Sequence, residues 1–194
     1  MKLLLLDKDG TLVKPKSGAE FIQEPWDQEP LLGTQEAVKH YSKRGWTIAI
    51  CSNQGGIQAG HKTLGECFDE MRFCLRLFPQ IEECYFCPSF QGRDCWRVWA
   101  NDAVLCTSQT HPLIAELQLE GTFRKPGKGM LTLAANIYGA EECWYIGDRD
   151  EDKQAAQAAG VNFLAATIFH DRFQSGLTEM TVSREQLRFL EGIG

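Results

Sequence analysis

The chain predicts an α/β fold, a parallel sheet with helices on both faces, and two observations carry that reading. Short apolar runs of strand length alternate along the 194 residues with segments of helical periodicity. Clusters of carboxylates, glycines and hydroxyls stand directly behind several of these runs, and ligands of a parallel sheet bind beyond the carboxyl ends of its strands.

The runs are Leu3–Leu6, Trp46–Cys51, Cys84–Cys87, Cys143–Ile146 and Asn162–Phe169. Each is apolar almost without interruption, the pattern of a strand covered on both faces. A helix over Thr34–Arg44 stops at Gly45, which suits a C-cap. Leu64, Cys67, Phe68, Met71, Leu75 and Phe78 recur at spacings of three and four until Pro79 ends the helix. Two more helices are predicted over about 129–138 and 151–159, ending at Gly139 and Gly160. Ser183 and Gln186 are spaced as a capping box for a closing helix over 183–193, with Leu187, Phe189, Leu190 and Ile193 apolar. Residues 14–30 are expected to form a flap, in which Glu24–Pro30 is an ordered loop over the strand ends, and 88–110 an irregular loop.

Twenty basic against twenty-six acidic residues leave a net charge of -6, so no broad attraction to nucleic acid or anionic lipid is expected. The length fits one domain. Leu3–Leu6 is cut by Asp7 well before the length of a secretion signal, and a cytoplasmic protein with no membrane partner is expected. Of eight cysteines, Cys51, Cys67, Cys74 and Cys143 lie in apolar periodic segments and read as core. Cys84, Cys87, Cys95 and Cys106 crowd one Gly- and Trp-containing stretch and are candidate zinc ligands. Against zinc, a strand over Cys84–Cys87 points those two side chains to opposite faces. The four histidines have no paired metal spacing and are given no chemistry.

Asp7-Lys8-Asp9-Gly10-Thr11 ends the first run with two carboxylates aimed to one side, a glycine that allows a tight turn, and a hydroxyl. Such a set can hold a hard cation and leave Asp7 as a nucleophile toward phosphorus. A turn is the bland alternative for one such motif. Three other strand ends supply the remaining parts. Ser52-Asn53-Gln54-Gly55-Gly56 offers a hydroxyl, an amide and backbone donors for phosphate oxygens. Arg124 and Lys125 set cations just before a helix, and Gly147-Asp148 with Asp150, Glu151 and Asp152 adds carboxylates for a metal site.

Taken together these four elements resemble, in order, the four motifs of the haloacid dehalogenase (HAD) superfamily of phosphohydrolases, over nearly the whole chain. The resemblance implies a Rossmann-like fold, Asp7 as nucleophile forming an aspartyl-phosphate, and Asp9 as acid and then base. It implies Mg2+ on the Asp7 side chain, the Asp9 carbonyl and Asp148, with Asp152 behind them. Gly10, Ser52, Asn53, Arg124 and Lys125 would bind the phosphate or the rest of the substrate. An aspartate at the second motif position marks phosphatases rather than dehalogenases.

About 40 residues separate Thr11 from Ser52 and about 70 separate Ser52 from Lys125, too few for a cap domain beside the predicted elements. The wording of the motifs resembles the capless branch that includes histidinol-phosphate and heptose bisphosphate phosphatases and the phosphatase domain of polynucleotide kinase-phosphatase. Its heptose and histidinol members bind zinc through Cys-x-His and Cys-x-Cys pairs. Here Ser89 and Phe90 stand at the histidine's place, and Thr122-Phe123 precede Arg124. A small phosphorylated metabolite such as a sugar bisphosphate or histidinol phosphate is the expected substrate. The alternative is a nucleic-acid 3'-phosphate end, for which Phe90, Arg93, Trp96, Arg97 and Trp99 could stack bases or grip phosphates unless they merely pack the loop.

Overall fold

A computed structural model describes residues 1–174 and 180–192. Its centre is a seven-stranded sheet formed by β1 (Lys2–Leu6), β4 (Thr47–Asn53), β5 (Glu83–Cys87), β6 (Cys95–Val98), β7 (Ala103–Cys106), β8 (Glu142–Gly147) and β9 (Asn162–Ala165). The order is β7-β6-β5-β4-β1-β8-β9. The strands from β5 to β9 in that order pair in parallel, whereas β5–β6 and β6–β7 pair antiparallel. A small antiparallel pair, β2 (Val13–Lys14) and β3 (Glu29–Pro30), forms the base of the flap.

Alternation along the strands sorts the core into two layers. Leu4, Leu6, Ile48, Ile50, Cys84, Phe86, Trp144 and Ile146 face one cluster, covered by α1 (Thr34–Ser42), α2 (Leu64–Leu77), α6 (Ala166–Phe173) and α7 (Arg184–Glu191). Leu3, Leu5, Ala49, Cys51, Tyr85, Cys87 and Tyr145 face the other, covered by α3 (Leu113–Glu116), α4 (Gly129–Ile137) and α5 (Asp150–Ala159). Both faces are covered, so β1 is leucine at four successive positions, all fully buried. Each such leucine contributes about 1.5–3 kcal/mol of transfer free energy. The closing helix starts on the Ser183/Gln186 capping box and stacks Phe189 against Tyr41 at 4.7 Å and Trp144 at 4.3 Å. Ile193, expected in this helix, lies outside the described residues.

Two expectations need correction. The run Asn162–Phe169 is not one strand: it leaves the sheet after Ala165 and continues as α6. Apolar periodicity alone does not separate a short buried strand from the buried face of a helix that follows without a turn. The 88–110 stretch is not simply irregular, because 95–106 extends the sheet as a hairpin in register Cys95–Cys106 and Val98–Ala103. Its four-residue connection, closed by Trp99 N–H to the Asp102 carbonyl at 2.9 Å, carries no glycine and hides the turn.

The hairpin is fixed by a buried charge. Glu83, fully buried at the start of β5, accepts from Tyr85 Oη at 2.6 Å, Tyr138 Oη at 2.7 Å and Arg97 Nε at 2.6 Å. Arg97 in turn lies over the Trp99 ring at 4.6 Å. Trp96 packs edge-on to Phe68 at 5.0 Å. Three of the five residues weighed for nucleic-acid contact are therefore used to hold the hairpin on the sheet. Glu83→Ala strands the Arg97 guanidinium and both hydroxyls, and we expect a loss of about 3 kcal/mol in urea unfolding. A loss below about 1 kcal/mol contradicts this account of the hairpin.

Candidate active site

Asp7, Ser52 and Asp148 stand at the carboxyl ends of β1, β4 and β8, three adjacent strands of the sheet. Asp7 continues the ladder for one residue, its N–H donating to the Ile146 carbonyl at 2.8 Å, and its side chain is buried. The chain then turns sharply: Leu12 and Val13 N–H both donate to the Lys8 carbonyl. Gly10 sits in the turn at φ +84°, and a Cβ there would lie 2.4 Å from Asp148 Oδ2. A glycine is thus required both by the dihedral and by the approach of a carboxylate. His170, given no role in sequence, donates from Nε2 to the Thr11 carbonyl at 2.7 Å and ties α6 to this turn.

Lys125 reaches into the same place from the loop before α4. Its ammonium lies 2.6 Å from Asp7 Oδ1, 2.6 Å from Asp152 Oδ1 and 2.6 Å from Tyr145 Oη, with the Cys51 carbonyl at 3.1 Å. Burial alone would lower its pKa, but Asp7 and Asp152 outweigh it and hold the ammonium charged above the ordinary lysine range. Asn53 fastens the lysine's backbone: its Nδ2 donates to the Lys125 carbonyl and its Oδ1 accepts from Lys125 N–H, both at 3.0 Å. The amide expected to meet phosphate is engaged with the loop that presents Lys125.

A second buried cation organises Asp9. Lys8, fully buried, donates to Asp9 Oδ1 at 2.5 Å and pairs with Glu70 Oε1 of α2 at 2.6 Å, the latter an ion pair without hydrogen-bond alignment. Lys62 pairs with the other Glu70 oxygen and donates to Gln54 Oε1 at 3.3 Å. Gln54 then donates from Nε2 to both Asp9 Oδ2 at 3.0 Å and Ser52 Oγ at 2.9 Å. Burial would raise the Asp9 pKa, yet Lys8, Lys62 and Gln54 bring it below the ordinary carboxylate value. Lys8, Glu70, Lys62 and Tyr145 were not singled out in sequence. Glu70 and Tyr145 sit inside helix and strand patterns and the two lysines in turns, and only the partners across the fold mark them.

Carboxylate oxygens of Asp7, Asp148 and Asp152 lie within 4.8 Å of one another. Both Asp152 oxygens are already used, Oδ1 by Tyr145 and Lys125 and Oδ2 by Arg149 N–H at 3.1 Å. Asp148 is exposed and its carboxyl is raised, by partial desolvation first and Asp152 second. Burial pushes Asp7 up to about 7, with Asp152 adding to it and Lys125 opposing it. Three carboxylates facing one lysine are an excess of negative charge that a hard divalent cation offsets, and oxygen donors of this kind fit Mg2+. Asp7 and Asp148 would hold it, with Asp152 orienting from behind.

Arg124 is half-buried beside Lys125, its guanidinium 5.0 Å over the Phe90 ring. Its Nη1 is buried without a partner among the described residues. Phe90 is held by its N–H on Gln58 Oε1. The four candidate zinc cysteines do not converge. Cys84 faces the α2 side of the sheet, while Cys87, Cys95 and Cys106 face the other, because three steps along a strand reverse the side. All four are buried free thiols.

Residues 122–167 match the profile of the HAD-hydrolase-like family. The chain is 30% identical over 198 residues to D-glycero-beta-D-manno-heptose-1,7-bisphosphate 7-phosphatase of Pseudomonas putida, covering 96% of this chain and 95% of that one. It is 29% identical to the histidine biosynthesis bifunctional protein HisB of Legionella pneumophila over 87% of this chain, spanning 42% of HisB. The crystal structure of a B. bronchiseptica D,D-heptose 1,7-bisphosphate phosphatase with magnesium and phosphate shares the fold, with a TM-score of 0.61, 22% identity, and coverage of 84% of this chain and 79% of that one. The chain belongs to the HAD superfamily of hydrolases. Within it the protein is a phosphatase.

The pKa of Asp7 sets the sign of a pH effect. The folded carboxyl keeps its proton up to about 7 while the unfolded one releases it near 3.8, so the metal-free fold loses stability as pH rises through that window. A cation binds only the ionised form. We expect Mg2+ to raise the melting temperature more at a pH one unit above 7 than one unit below it. Equal shifts on the two sides contradict the assignment of Asp7 as a ligand.

Proposed function

We propose that the protein is a Mg2+-dependent phosphomonoesterase that works through an aspartyl-phosphate on Asp7, with a small sugar bisphosphate as substrate. The observation that carries this reading is the buried Asp7 carboxylate held 2.6 Å from Lys125 at a turn that also brings in Asp148. Mg2+ bound at Asp7 and Asp148 would supply charge neutralisation on the transferring phosphoryl group. Lys125 and the Ser52 hydroxyl steady the phosphoryl oxygens, and the Asp7 carboxylate attacks phosphorus, breaking its bond to the leaving oxygen.

Asp9 gives that oxygen its proton and later takes one from the water that hydrolyses the intermediate. In the resting site Lys8, Lys62 and Gln54 favour its ionised form. An anionic phosphate arriving beside it raises its proton affinity, the condition for acting first as acid. Giving that proton to the leaving oxygen leaves Asp9 ionised again, ready to act as base on the water.

Support for a bisphosphate comes from two sides. Several relatives, from P. putida and Neisseria meningitidis among others, are named heptose-1,7-bisphosphate 7-phosphatases. Arg124, next in sequence to Lys125, keeps a donor nitrogen without a partner among the described residues and is steadied over Phe90, a fixed cation suited to a second phosphate. We read the chain as one catalytic domain with an open site, the region between β2 and β3 and the Phe90 side serving as its rim. No helix among the described residues is long and apolar enough to cross a membrane. Eight free cysteines support a reducing compartment such as the cytoplasm.

Turnover with Mg2+ of heptose 1,7-bisphosphate, histidinol phosphate and a 3'-phosphorylated oligonucleotide tests the substrate class. The bisphosphate is expected to lead in kcat/KM by at least about tenfold, a margin that Arg124→Ala erases. A lead for the oligonucleotide contradicts the proposal. Asp7→Asn is expected to fold and to lose turnover by about 10³-fold or more; retained activity in that variant rules out Asp7 as nucleophile.

A further inference from the structure

We infer that Tyr145 is a positioning residue whose hydroxyl frees one proton of the Lys125 ammonium for the phosphoryl group. This rests on the reading of Lys125 and Asp7 given above, but concerns a residue outside the four motifs. Tyr145 is fully buried in β8, three residues before Asp148, on the sheet face that carries α4 and α5. Its hydroxyl is the point where the Lys125 loop, β4 and the start of α5 meet: it lies 2.6 Å from Lys125 Nζ, 3.1 Å from the Cys51 carbonyl and 3.0 Å from Asp152 Oδ1.

Proton supply decides the role of the hydroxyl. Lys125 has three N–H protons, Tyr145 has one O–H, and an ammonium accepts nothing. Lys125 faces Asp7 Oδ1, Asp152 Oδ1, the Cys51 carbonyl and the tyrosine oxygen. The Asp152 contact is an ion pair without hydrogen-bond alignment, and Tyr145 gives that oxygen its hydrogen bond. Without the hydroxyl the lysine must serve Asp152 as well, so the three remaining acceptors take all three lysine protons, and turning one toward a phosphoryl oxygen leaves a buried carbonyl or carboxylate bare. Such an orphaned acceptor is costly in a dry site. With the hydroxyl present, its proton covers Cys51 or Asp152 in the lysine's stead. The tyrosine oxygen loses only an optional acceptor contact, and the released N–H is free for the phosphoryl group on Asp7.

Arginine at 125 brings five donors of its own and removes the shortage. The test is therefore a double-mutant cycle on p-nitrophenyl phosphate with Mg2+, comparing Tyr145→Phe in the natural and Lys125→Arg backgrounds. In the natural background kcat is expected to fall at least about tenfold with KM moving less than about threefold, because the contact strengthens as charge moves onto the phosphoryl oxygens. In the Lys125→Arg background the same change is expected to alter kcat by less than about twofold. Equal losses in both backgrounds, or no loss in the natural one, overturn the inference. If Tyr145→Phe does not fold, Tyr145→Met keeps an apolar side chain of near volume without the hydroxyl and is held to the same outcomes. Asp7→Asn reports separately: turnover surviving there sinks the reading of the site, whereas a Tyr145→Phe protein with natural kcat sinks this inference alone.

Discussion

The ammonium of Lys125, buried among Asp7, Asp152, Tyr145 and the Cys51 carbonyl, is the interaction on which the arrangement of the site depends. A lone charge in this position would cost several kcal/mol of desolvation, and each carboxylate alone would cost as much. Together they offset one another only if β1, β4, β8, α5 and the loop before α4 arrive in fixed register. Gly10 and Gly147 permit that closeness. A Cβ on Gly147 would lie 2.4 Å from the Asp152 side chain, as one on Gly10 would meet Asp148. The register of the sheet's carboxyl edge therefore fixes the geometry of the site.

Much of this was legible in the chain. The five parallel strands, the capped closing helix and the helix before Pro79 all rest on short-range signals, apolar runs and punctuation, which residues carry locally. That Asp7, Asp9, Ser52 and Asp148 share one edge was legible because each stands at or just past a strand end, and a parallel sheet gathers its strand ends; Lys125, expected behind a strand, comes instead from the loop between α3 and α4. What was not legible depends on partners distant in sequence. Lys8 looks like a solvated lysine between two aspartates until Glu70 of α2 is set against it. Tyr145 looks like one more apolar position of β8 until Lys125 meets its hydroxyl. Asn53 carries an amide suited to phosphate, yet its reciprocal bonds to the Lys125 backbone appear only once the loops are side by side.

The hairpin of β6 and β7 illustrates the same limit in another way. Its two cysteines crowd with Cys84 and Cys87 in sequence as a possible zinc site, and its arginine and tryptophans suit nucleic acid. Strand alternation within β5 puts Cys84 on the face opposite Cys87, Cys95 and Cys106, and Glu83, itself buried inside β5, claims Arg97. Phe90 alone of these aromatics is exposed over half its surface, against Arg124 at the rim.

Chemistry on Asp7 is the central claim, and its most direct test is to catch the intermediate. Acid quenching of the enzyme during turnover with Mg2+ and a phosphorylated substrate, followed by peptide mass spectrometry, should find a phosphate on the peptide holding Asp7, borne by Asp7 itself. Phosphate on another residue, or steady turnover with Asp7 never modified, would contradict the account.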